Sequence, residues 1–172
     1  LVNKGPNQMG VSGKFTIANL PKFDILPDLI DYCRPIFPPI SNIGVTTTNG
    51  DIAIHSDFVR NGYNVSGQGV KVGVISDSYN TIPGDPANTD VVNGDLPGVG
   101  NPYANTTPVE VLQDYPFGRR TDEGRAMLQL VHDSAPKAQL VFRPGFISAG
   151  DFAQGIRQCQ QNNYNLIVDD VQ

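Results

Sequence analysis

The residues of this chain best placed for chemistry are two carboxylates far apart in sequence, Asp77 and Glu123. Asp77 closes Val70-Lys71-Val72-Gly73-Val74-Ile75-Ser76-Asp77, an almost continuous apolar run of strand length. Such a strand is buried on both faces of a mostly parallel sheet, and ligands bind these sheets outside the carboxyl ends of their strands. Glu123 lies in Thr121-Asp122-Glu123, where Thr121 is a good N-cap and the two acids occupy a first helical turn. The apolar stripe of that helix reads as Met127, Leu130, Val131 and Ser134. Four residues back from Met127 is Glu123, which places it on the sheet-facing side. Each acid alone has an ordinary explanation, Asp77 as a turn former and Glu123 as a first-turn charge. Together they project from one edge of a sheet. Two close carboxylates in a desolvated cleft suit general acid–base work, because they cannot both ionise easily and one can hold a proton.

Other polar residues have weaker claims. Asp169 and Asp170 follow the fourth strand, at the edge where ligands of a parallel sheet bind. A turn-forming role fits them equally. His132 lies nine residues past Glu123, about half a turn away in azimuth and about 13 Å along the axis. It is expected to face solvent beside Asp133, and His55 has no positional claim. Asp85, Asn88, Asp90, Asn93 and Asp95 supply the oxygen density of a calcium loop but no ligand register, and they read more simply as turns. Neither a metal nor a cofactor is assigned.

These residues need a βαβ frame to position them. Val109–Leu112, Ala138–Phe142 and Leu166–Val168 are further strands, and helices separate the second, third and fourth. The last helix shows the capping box Ser148-Ala149-Gly150-Asp151 and a stripe of Phe152, Ile156 and Cys159. About thirty loop residues join the first two strands, a length that usually marks function. Residues 1–65 read as a wrapping arm. They contain a short strand over Lys14–Ile17, a helical turn over Asp28–Cys33 stopped by Pro35, Pro38 and Pro39, and a helix over Asp51–Arg60 with Ile54, Phe58 and Val59 inward. The expected fold is a three-layer αβα domain over residues 66–172 with a mostly parallel sheet.

Two motifs resemble the subtilase family of serine peptidases. Gly67-Gln68-Gly69-Val70 through Ser76-Asp77-Ser78 looks like the subtilase strand that ends on the catalytic Asp. Asp122-Glu123-Gly124-Arg125-Ala126-Met127, running on to Ala135-Pro136-Lys137-Ala138, looks like the catalytic-His helix and the Ala-Pro turn after it. The resemblance covers roughly residues 43 to 170. It implies a subtilisin-like fold, peptide or protein substrates and serine-peptidase chemistry, and it makes Asp170 a candidate substrate-binding residue, in the stretch that lines the subtilase cleft, where an acidic wall would favour basic or polar peptide side chains. Two departures matter. Glu123 stands at the position of the catalytic His, as Glu serves in the related sedolisins, although the sedolisin Asp four residues later is here Met127. No residue matches the catalytic Ser, and the chain stops at Gln172 before that position would be reached. The expectation is an N-terminal part of a peptidase domain, inactive by itself, with Asp77 and Glu123 as its share of the triad. The alternative is a non-catalytic subtilase-like binding or scaffold module. A receiver-like domain also puts an Asp after its first strand, but the second acidic cluster and the late Lys it needs are not evident.

Composition narrows the partners. A net charge of −5 leaves no phosphate-tracking footprint, so nucleic acid is not expected. No run approaches the ~18 apolar residues of a membrane span. Low Lys and Glu with many Asn, Gly and Thr suggest a secreted or surface protein, in which Asn64-Val65-Ser66 and Asn105-Thr106-Thr107 fit the glycosylation pattern. Cys33 and Cys159 have no metal-ligand spacing; a disulfide stays open, while the stripe makes Cys159 a small core residue. The fourth strand reads as an unprotected edge through which copies of the chain can pair.

Overall fold

The computed structural model describes residues 3–4, 11–23, 25, 33 and 50–171. In the amino-terminal part, β1 (Asn3–Lys4) and β2 (Val11–Ser12) pair antiparallel. The strand expected over Lys14–Ile17 is absent. The Asn19 N–H bonds back to the Thr16 carbonyl at 2.8 Å, and this turn leads into a 3₁₀ helix over Ile17–Phe23. The helical turn expected over Asp28–Cys33 lies, apart from Cys33, outside the described residues. The helix expected over Asp51–Arg60 is two short ones, α1 (Gly50–Ala53) and α2 (Ser56–Tyr63), broken where His55 takes a left-handed φ of 59°. Ile54, Phe58 and Val59 do not point inward; all three are exposed. The inward contact is polar. Arg60 grips both Asp51 carboxylate oxygens at 2.5 Å and the Ser134 carbonyl at 3.0 Å.

The main sheet is α/β and wholly parallel, in the order β4–β5–β3–β6, with β3 (Lys71–Ser76), β4 (Glu110–Val111), β5 (Gln139–Pro144) and β6 (Leu166–Asp169). Val74 pairs with Phe142 on one side and Val168 on the other, so β3 is interior, as its unbroken apolar run requires. Strand alternation then sorts the two faces. Val72, Val74, Leu140 and Phe142 pack with Leu128 of α4 (Glu123–Ser134). On the other face a Cβ at Gly73 would lie 3.0 Å from Cys159 Sγ of α5 (Ala149–Gln161). Helices therefore cover both faces. Cys159 is buried core, and both cysteines are free thiols, with Cys33 exposed.

Ser148 caps α5 as the capping box requires, its Oγ accepting from the Asp151 N–H. The buried stripe of α5 is Asp151, Gly155 and Cys159, while Ile156 is exposed. Asp151 is tolerated inside because the buried Arg143 of β5 meets it with two nitrogens, at 2.7 and 2.9 Å. The long β3–β4 connection is not structureless. It holds α3 (Pro86–Asn93), which Pro86 opens and Gly94 closes with a φ of 94°, and Leu96 then plugs the core at 0% exposure.

Candidate active site

Asp77 follows β3 at the carboxyl edge of the sheet and is completely buried. Its Oδ1 accepts the N–H groups of Ser78 (2.5 Å), Glu123 (2.8 Å) and Gly124 (3.4 Å) and lies 3.3 Å from Ser78 Oγ. Its Oδ2 accepts the Thr121 N–H at 2.9 Å and the Thr121 hydroxyl. Every lone-pair direction of the carboxylate is used, so Asp77 is built to hold the start of α4 in place. The sheet edge and the helix N-terminus are thus joined at the two residues singled out from sequence.

Two local features allow this approach. Gly124 has no room for a side chain, since a Cβ there would fall 2.2 Å from Phe142 and 2.8 Å from the Ser78 carbonyl. Glycine lets the first turn of α4 press onto the sheet, and this carries the Glu123 N–H to Asp77. The second feature is the cap. Thr121 is not the N-cap; Asp122 is, in a left-handed conformation with φ 56° and no side-chain bond to the backbone N–H groups of its own helix. Its carboxylate turns the other way, accepting from Ser78 Oγ (2.8 Å), Thr81 N (2.8 Å), Thr81 Oγ1 (2.7 Å), Ile82 N (3.1 Å) and Arg125 Nη1 (2.5 Å). Burial alone would raise this carboxyl, but the bonds from Thr81, Arg125 and Ser78 outweigh it and hold the pKa down at about 2. Arg125 extends the network to Asp90 at 2.8 Å and to the Tyr79 carbonyl at 2.6 Å. Burial pushes the Tyr79 phenol up to about 12. Asp114 secures the same loop by accepting the N–H groups of Tyr79 and Asn80 at 2.9 and 2.8 Å.

Glu123 is the first residue of α4 and is 8% exposed, on the buried side as its position four residues before Met127 requires. Arg120 lies beside the pair, its Nε 4.0 Å from Asp77 Oδ2 and its guanidinium over the rings of Tyr115 and Phe146. Asp170 follows Asp169, which pairs with Ile75, so it stands at the same carboxyl edge. Among the described residues no hydrogen bond or ion pair joins Asp170 to Asp77.

His132 is a correction: it is 3% exposed and does not face solvent. The half-turn from Glu123 is right, but the buried face of α4 is itself about half a cylinder wide, spanning Glu123, Gly124, Leu128 and His132, with Glu123 and His132 at its two margins. Leu130, read as inward, is exposed. Asn105 is also buried, so of the two glycosylation-pattern asparagines only Asn64 is exposed. Among the described residues no three His, Cys, Asp or Glu side chains are grouped to hold a metal. In the loop that resembled a calcium site, Asp85 accepts from Asn80 Nδ2 and Asp90 pairs with Arg125.

Sequence reading missed Ser78, Thr81, Asp114, Arg120, Asp122 and Arg125. Only the run of hydroxyl and acidic residues beside Asp77 and Glu123 signalled them. Compared with known protein families, with curated proteins and with solved structures, the chain has no match.

Proposed function

We propose that this chain is the N-terminal part of a subtilisin-like serine endopeptidase domain of a secreted or surface protein. In this reading Glu123 is the base, Asp77 is the group that positions it, and the serine is contributed by polypeptide beyond these 172 residues. One observation carries the reading. A completely buried strand-end Asp accepts the backbone N–H of a buried Glu at the head of the facing helix, at 2.8 Å. The residues that make this contact lie in the two motifs that resemble the subtilase Asp and His segments. Asp170, at the same edge, would form an acidic wall of the peptide cleft.

A fluorophosphonate probe, which labels activated serines, tests the reading on a polypeptide that carries this chain and the serine-bearing segment. The expected outcome is labelling of the parent and its loss in Glu123→Gln. A parent that folds and takes no label would favour a non-catalytic subtilase-like binding module instead.

A further inference from the structure

Arg120, at the carboxyl edge, makes contacts that the joining of Asp77 to Glu123 does not account for. Tyr115 follows β4 and Phe146 follows β5, and the Arg120 guanidinium carbon lies 5.2 Å and 4.8 Å from the centres of their rings. Its backbone N–H donates to Thr81 Oγ1 at 2.9 Å. Two aromatic faces and an anchored backbone order this side chain before any ligand arrives.

The ordered guanidinium lacks a hydrogen-bond partner. Its Nε is buried without one, and Asp77 Oδ2 is 4.0 Å away, beyond hydrogen-bond reach. That oxygen already accepts the Thr121 N–H and hydroxyl. Neither Nη nitrogen donates a hydrogen bond among the described residues. Unlike Nε, neither is sealed from solvent, and the side chain is 20% exposed. The surroundings favour an anion. Tyr115-Pro116-Phe117-Gly118-Arg119-Arg120-Thr121 contains no acid and adds the exposed Arg119. Phe117 stands edge-on to Tyr115 at 5.7 Å and carries Lys14 Nζ 4.5 Å from its ring centre. Among the described residues Asp77 is the only acid paired with these three cations, and it is completely buried. Asp114 is engaged by the N–H groups of Tyr79 and Asn80.

A planar fork with open Nη groups beside aromatic faces suits a carboxylate on an aliphatic stem, which takes two parallel N–H bonds while the stem packs on the rings. We infer that Arg120 is a specificity-determining residue of the cleft, binding the side-chain carboxylate of a glutamate in a peptide. The inference rests on the peptide-substrate reading above. Asp170 does not conflict with it. Arg120 stands on the β4–β5 side of β3 and Asp170 on the β6 side, so the two meet different side chains of one peptide.

Calorimetric titration of the chain with three peptides tests this inference. They are an end-capped alanine pentapeptide with Glu at its centre, the same peptide with Gln, and the Gln peptide with a free terminal carboxylate. The Glu peptide should saturate and bind at least about tenfold tighter than its Gln counterpart. Arg120→Gln should abolish that preference, with circular dichroism unchanged. Arg120→Lys, the milder change, should keep the charge but only part of the preference, and Arg119→Gln should leave it intact. The inference is overturned by no saturable binding of the Glu peptide, or by equal affinity for Glu and Gln. A preference that survives in Arg120→Gln, or is lost equally in Arg119→Gln, overturns it too, as does tighter binding of the free-ended peptide. Fluorophosphonate labelling keeps the two readings apart. A labelled parent without the Glu preference sinks this inference alone, and the preference in an unlabelled parent sinks only the peptidase reading.

Discussion

At the scale of single residues, the geometry of the rim depends on Asp122 as much as on Asp77. Asp77 holds the helix to the strand, while Asp122 holds the loop after the strand to the helix. A non-glycine residue in the left-handed region costs about 1 kcal/mol or more and persists where its surroundings over-determine it. Five bonds to the Asp122 carboxylate do so here. Its folded pKa of about 2 is below the ordinary 3.8, so its contribution to stability is complete above 3.8 and is lost as the pH falls through about 2. Asp122→Ala should destabilise the chain by about 3 kcal/mol, because it leaves buried donors without their acceptor. Thermal melts between pH 5 and 2 should also show a shallower acid limb in the variant. An unchanged melting temperature and acid limb would rule out this role. Little of it was visible in the sequence beyond an acid next to Glu123 with Arg125 three residues on, because the other donors to its carboxylate come from the distant Ser78–Ile82 loop, which leaves no spacing signature.

At the scale of elements, α4 shows what periodicity can and cannot settle. The position of Glu123 on the buried side followed from one step of four residues, but the width of the buried face did not. Width depends on how many elements pack around a helix, and here Leu96 joins the core beside Leu128 of α4 in addition to the sheet. The β3 and β5 strands were legible because a run buried on both faces has few alternatives. The α1–α2 pair was not, since it is held together by one ion pair across a left-handed break at His55 and bonds to α4 through Arg60 and the Ser134 carbonyl. Gly124 ties the element to the site. Gly124→Ala should cost about 3 kcal/mol or more by forcing α4 off Phe142 and the Ser78 carbonyl. Gly62→Ala, in α2 with open space around it, should be neutral or mildly stabilising. Chemical denaturation of the two variants compares them directly, and equal stability would contradict the close approach.

At the scale of the whole molecule, the parallel sheet separates two polar regions. The carboxyl edge brings Asp77, Glu123, Arg120 and Asp170 together, and the amino edge gathers His132, Asn105 and Asp133 around a cavity. The first could be anticipated, since parallel sheets gather function at strand carboxyl ends. The second could not, because its residues come from separate segments whose proximity only the fold decides. The central claim is that Glu123, positioned by Asp77, is the base for peptide hydrolysis. The most direct measurement is kcat/KM for peptide hydrolysis by a polypeptide that carries this chain with its serine-bearing segment, comparing the parent with Glu123→Gln. A fall of about 10³-fold or more, with folding unchanged, is the predicted result. Hydrolysis at the full parental rate would contradict it.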